Sequence, residues 1–181
     1  SSDVSIDNCS SSGVIAGGGI SGDGTGVGGG TVTITNCYSE GDIYSGRGGI
    51  CGAIAGINSG TVTITNCYST GAIYQDAGGI CGYAASKNGT VDISNCYSTG
   101  GIIGGNSGGI VGKHTAYENG KLTITNCYSE GKISGTNAGG IVGGVAGERG
   151  GTVTVFNCYS KGEISGLEAG GIYGSQAGSR G

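Results

Sequence analysis

Thr61-Val62-Thr63-Ile64-Thr65-Asn66-Cys67-Tyr68-Ser69 decides the fold. The same nine residues stand at Thr31–Ser39, and variants stand at Asp3–Ser11, Thr90–Ser98, Lys121–Ser129 and Thr152–Ser160. Six copies thus begin at positions 3, 31, 61, 90, 121 and 152 of a 181-residue chain. Within each copy an apolar residue alternates with a small polar one, the pattern of a half-buried strand whose side chains leave on opposite faces. A near-constant interval of this size points to a stacked repeat array.

The units run 3–30, 31–60, 61–89, 90–120, 121–151 and 152–181 and make one repeat domain over 1–181. Each holds three apolar pieces. The opening strand comes first. A short piece on an isoleucine follows (Ile15, Ile43, Ile73, Ile102, Ile133, Ile164). The third begins with another isoleucine after a Gly-Gly pair (Ile20, Ile50, Ile80, Ile110, Ile141, Ile172). No helical period or helix cap appears, and Asn-Gly or Gly-Gly often punctuates the joins, as at Asn88-Gly89 and Gly150-Gly151. We therefore expect an all-β, single-stranded parallel β-solenoid with one unit of about thirty residues and three short strands per coil. Parallel crossovers favour a right-handed winding. Six coils at the ~4.8 Å strand spacing give a rod on the order of 29 Å long.

Composition narrows the function. The 46 glycines recur in register, which marks turns and close packing rather than disorder. A net charge of −4, with 11% charged residues, argues against nucleic acid, which needs clustered Lys and Arg. No apolar run approaches the ~20 residues of a membrane span. The chain opens without Met and ends where a repeat would end, which suggests a part of something longer, within a longer chain or a filament subunit.

The third piece reads Gly-Gly-Ile-Cys-Gly at Gly48–Gly52 and Gly78–Gly82, and Gly-Gly-Ile-Val-Gly at Gly108–Gly112 and Gly139–Gly143. Together with Asn-Cys-Tyr-Ser followed by Glu-Gly or Thr-Gly, it resembles the GLUG repeat, a short Gly-rich module of bacterial surface and secreted proteins. The resemblance covers all six units, with the first and last diverged. It implies a β-rich, non-catalytic, surface-exposed or extracellular module, on a cell or virion, and supplies no catalytic residue.

If each unit winds once, like residues stack into columns. Asn8, Asn36, Asn66, Asn95, Asn126 and Asn157 then form an amide ladder at a corner. Cys9, Cys37, Cys67, Cys96, Cys127 and Cys158 form a sulfur column. Read structurally these are packed free thiols; disulfides between rungs are the alternative, and a tetrahedral metal site fits a line of thiols poorly. Tyr38, Tyr68, Tyr97, Tyr128 and Tyr159 form a ring column, either a stacking ladder or, facing outward, a glycan-binding stripe. The Gly-flanked stripe Cys51, Cys81, Val111, Val142 and Tyr173 is a candidate lateral contact between rods.

Thr31, Thr33, Thr35, Thr61, Thr63, Thr65, Thr123, Thr125 and Thr154 make a candidate binding face. Such a flat Thr grid resembles the water-ordering surface of some ice-binding solenoids. Asp3, Asp7, Asp92, Lys121 and Phe156 interrupt it, and β-propensity alone accounts for Thr there. His114, the only histidine, lies in the longest inter-strand stretch and reads as a loop decoration. The acidic residues are scattered, without the carboxylate pair a glycosidase needs.

The sequence expectation is therefore a non-enzymatic shaft module with no cofactor or metal. Its partners are copies of itself, stacked head to tail and also laterally. Ice or glycan binding is the alternative.

Overall fold

A computed structural model describes residues 2–178; position 1 and the last three positions of the sixth unit lie outside the described residues. The chain winds as a parallel β-solenoid. Each nonapeptide supplies two strands, namely β1 (Asp3–Asp7) and β2 (Ser10–Ser11), β3 (Thr31–Thr35) and β4 (Tyr38–Ser39), β5 (Thr61–Thr65) and β6 (Tyr68–Ser69). The series continues with β7 (Thr90–Ser94) and β8 (Tyr97–Ser98), β9 (Lys121–Thr125) and β10 (Tyr128–Ser129), β11 (Thr152–Phe156) and β12 (Tyr159–Ser160). The odd strands form one six-stranded parallel sheet and the even strands another, both in the order of the coils. Register sets like on like: Val32 pairs with Val62 and Val62 with Val91, and Tyr38 pairs with Tyr68.

The nonapeptide breaks because asparagine turns it. All six corner asparagines have φ between 53° and 55°. Asn enters this left-handed region more easily than most residues. The corner does not interrupt the ladder, since Asn36 N–H still donates to Thr65 O at 3.1 Å. Past the corner, Cys37 and Ser39 turn inward and Tyr38 outward.

The remaining two pieces differ from the expected strands. The Ile15–Ile43–Ile73–Ile102–Ile133–Ile164 column is a run of single bridges, and the Gly-Gly-Ile piece contributes two more, through its first Gly and through the residue after Ile. Crowding explains the brevity. A Cβ on Gly79 would lie 2.8 Å from the Cβ of Ser98, and one on Gly109 would lie 2.6 Å from that of Ser129. The buried Ser column and the second glycine of each pair therefore press together as a narrow waist. On one side of it lies the main core of Val, Ile, Cys and Ala; on the other lies a smaller one of Ile15, Ile43, Ile73, Ile102 and Ile133 with Ala77 and Ala138.

The candidate lateral stripe is corrected by burial. Cys51, Cys81, Val111 and Val142 are 0% exposed members of the main core, and Tyr173 packs against it. Both Ile and the following residue face inward because the piece bends instead of alternating. With four of its five members fully buried and only Tyr173 partly exposed, the stripe cannot meet another rod along its length.

Candidate functional site

Three features present chemistry beyond ordinary packing: the stacked columns, the two ends, and one side groove. The Asn column is a partial amide ladder. Nδ2 of Asn66 donates to Oδ1 of Asn36 at 3.3 Å, Asn126 to Asn95 at 3.3 Å, and Asn157 to Asn126 at 2.7 Å. A second ladder runs through Asp76, Asn106 and Asn137, whose φ values of 56° to 57° mark another left-handed corner. Sequence reasoning missed it; its signal was a turn residue of one kind at the same place in successive units.

The tyrosine column stacks as expected, with ring centroids 4.9 to 5.1 Å apart and planes within 4° of parallel. Each interior ring therefore has both faces covered by its neighbours, so the column offers solvent its edges rather than the faces a sugar stacks on. Burial and the adjoining phenols hold Tyr68 and Tyr97 above the usual tyrosine range. On the Thr face, the full Thr-x-Thr-x-Thr pattern is shared by β3 and β5 alone. Beyond them Asp92 and Ser94 stand opposite Thr63 and Thr65, and Asp3 and Asp7 opposite Thr31 and Thr35.

The cysteines are free thiols. Four of the six column members are fully buried, whereas Cys9 is exposed and Cys158 half-buried at the two ends. Each thiol turns back to the carbonyl two residues before it, as Cys37 does to Thr35 O at 3.1 Å and Cys96 to Ser94 O at 3.2 Å. Each sulfur from Cys37 onward also accepts the backbone N–H of the cysteine one coil earlier, at 3.4 Å in all five steps. Cys96, buried between the thiols of Cys127 and Cys67, is pushed well up by their proximity, while Cys67 and Cys127 are pulled below the usual thiol value by their interaction with it. Among the described residues no three His, Cys, Asp or Glu side chains converge as a metal cage requires.

The side groove, of about 640 Å³, runs along the corner that follows the Gly-Gly-Ile piece. Ile54, Ile57 and Val145 wall it, with Tyr83, Tyr117 and His114 and the charged residues Lys87, Lys113, Glu148 and Arg149. Nδ1 of His114 lies 3.4 Å from Oε2 of Glu148, and its ring meets Tyr83 edge-on at 5.4 Å. Arg149 and Lys87 lie 5.1 and 5.5 Å from the centre of the Tyr117 ring, and both pair with Glu118. Burial and nearby Lys113 hold His114 below its ordinary value. The histidine is thus one side of a groove assembled from successive coils rather than an isolated decoration. Its charges are matched in sign and already paired, which leaves ring edges and apolar walls as what it presents.

The ends differ from the middle in one respect. Val62 and Ile64 are 0% exposed, but Val4 in the equivalent place of the first coil is 50% exposed. At the other end Val153 and Val155 are half-buried, and Phe156 and Ile164 are 67% and 49% exposed. Comparison with protein-family models, curated proteins and solved structures finds no match.

Proposed function

We propose that the chain is a structural and interaction module, a segment of the shaft of a fibre, filament or adhesin-like surface protein, extended by end-to-end stacking of coils. What carries this reading is the pair of open ends. β1 and β11 are edge strands, each paired on one side only, over core residues whose equivalents in the interior coils are fully buried. An edge strand with unpaired N–H and C=O groups over apolar side chains is a template for a further strand. Because all strands run parallel and in register, the β11 end of one coil stack matches the β1 end of another, whether the next coil belongs to the same chain or to a second copy. A heterologous contact of this kind does not close on itself and so builds rods. The GLUG-like repeat supports the same reading and a surface-exposed or extracellular setting.

Electron microscopy and sedimentation of the reduced chain over a range of concentrations test it. The expected result is rods that lengthen with concentration in steps on the order of 29 Å, six coils at ~4.8 Å each. An Ile6→Lys variant, which places a charge at one end of the core, should stop the growth. A chain that stays monomeric at every concentration, with the amides of β1 and β11 as protected from exchange as those of β5, would overturn the reading.

A further inference from the structure

We propose that the β11 end takes the β1 end of a second copy of this chain, and that Tyr173 on one face and Ser21 on the other select that joint. The inference rests on the shaft reading and names its partner. Ser21, Cys51, Cys81, Val111, Val142 and Tyr173 bridge one another in order along the coils. The smallest member of this column stands at the β1 end and the largest at the β11 end. The sixth coil makes part of the room for the phenol, since Val153 and Val155 stand where the fifth has Leu122 and Ile124. Tyr173 borders two hollows in the β11 end, of about 490 Å³ and about 330 Å³. Val153, Val155, Cys158 and Ile172 line the larger one. Continuing the register by one coil lays Val4, Ile6 and Ile20 of the second copy over Val153, Val155 and Ile172, and its Ser21 over Tyr173.

Hydrogen bonding is matched as well as size. Ser21 Oγ and Thr25 Oγ1 lie 2.6 Å apart, and Thr25 Oγ1 donates to Gly22 O at 2.8 Å. The threonine proton is thus spent, so the serine proton fills the bond between the two hydroxyls and Ser21 Oγ is left as an acceptor. The Tyr173 side chain is half-buried, and among the described residues its O–H makes no hydrogen bond. Burial raises the phenol above the usual tyrosine range, so it stays a donor. A buried Tyr O–H ordinarily finds a partner. The next place in the column, ~4.8 Å further along the axis, supplies one in Ser21 of the second copy.

No interior coil offers this match, because the column holds Cys51, Cys81, Val111 and Val142 there. Like ends do not match either. Two β11 ends would set one phenol against another. Two β1 ends would set acceptor against acceptor, and the first unit carries Asp3, Asp7 and Asp23 without a Lys or Arg. Juxtaposed like charges suppress that pairing.

The test is a size swap in the reduced chain, read by sedimentation and electron microscopy, with circular dichroism as the check on folding. Ser21→Val repeats a pair the fourth coil already makes with Val111 and Thr115. It should raise the concentration at which rods form about tenfold, the weight of one buried donor left without its acceptor. Adding Tyr173→Val rebuilds at the joint the valine-on-valine contact of Val111 and Val142, and should return that concentration close to the native one. Tyr173→Phe keeps the ring and removes only the hydroxyl, so it should fall between native and Ser21→Val. If Ser21→Val does not fold, Tyr173→Phe decides, and native-like joining by it would overturn the inference. Rods that form as readily from Ser21→Val as from the native chain, or a double variant no better than the single one, would overturn it while leaving the shaft reading in place. A native chain that never joins would overturn both.

Discussion

The imidazole of His114 holds its Nδ1 3.4 Å from the Glu148 carboxylate although the two residues belong to successive coils. With the ring neutral, Nδ1–H donates to the carboxylate, and burial beside Lys113 keeps the ring below its ordinary value of 6.5 despite the pull of Glu148 and Asp76. A base whose folded value is lowered binds fewer protons folded than unfolded near that pH. Its contribution to stability is therefore full above about 6.5 and declines as pH falls toward the folded value. Melting curves between pH 7.5 and 5 should show the native chain losing more stability than a His114→Asn variant. Asparagine suits the φ of 56° there. Parallel curves for the two proteins would show that the histidine does not titrate in this window.

Backbone strain at the corners gives a second prediction. Asn66 sits at φ 55°, and its amide reaches only Asn36, at 3.3 Å and in solvent. Alanine at this position carries the left-handed penalty of ~1–2 kcal/mol, whereas glycine carries only its greater unfolded-state freedom, ~0.5–1 kcal/mol. Denaturant midpoints should therefore rank native above Asn66→Gly above Asn66→Ala. The reverse order of the two variants would assign the column to its amides and not to the turn.

The waist between the two cores supplies a third. Gly79→Ala inserts a Cβ 2.8 Å from the Cβ of Ser98 and against the backbone of the next coil, and overpacking of this kind costs ~1–3 kcal/mol or more. Gly101→Ala meets nothing closer than 3.8 Å, the side chain of Ile103. The first should lower the melting temperature by several degrees and the second should leave it nearly unchanged. Equal effects would mean that glycine acts here only through chain flexibility.

How far the sequence could be read follows from which residues obey a period. Strand alternation in Thr61–Thr65 and the recurrence of Asn66 and Cys67 gave the inward and outward faces, the corner and the columns, because each depends on spacing along one unit. Gly-Gly-Ile-Cys-Gly did not yield to the same reading: Ile50 and Cys51 are adjacent and both buried, since the chain bends through the waist. The groove was hidden for a different reason. Tyr83, His114 and Glu148 are each unremarkable within their own units, and they meet only when coils are laid over one another. Ile54 and Val145, at φ 55° and 60°, show the limit of propensity, as β-branched residues occupy a left-handed position that Gly24 and Ala84 fill in other coils.

Thiol reactivity offers a fourth prediction, and it links the open ends to the sulfur column. In the dispersed, reduced protein Cys9 is exposed, Cys158 half-buried, and the other six cysteines buried. A thiol reagent should therefore label one site quickly and a second more slowly, and reach six only on unfolding. Burial also holds the thiol of Cys158 above the usual value, which lowers its thiolate fraction and slows it further. If coils stack end to end, the next coil covers both of these positions, so assembly should suppress the two early labelling phases while leaving the six slow ones unaltered. Labelling at Cys9 that proceeds equally fast in dispersed and rod-forming samples would mean that association, where it occurs, uses a surface other than the ends.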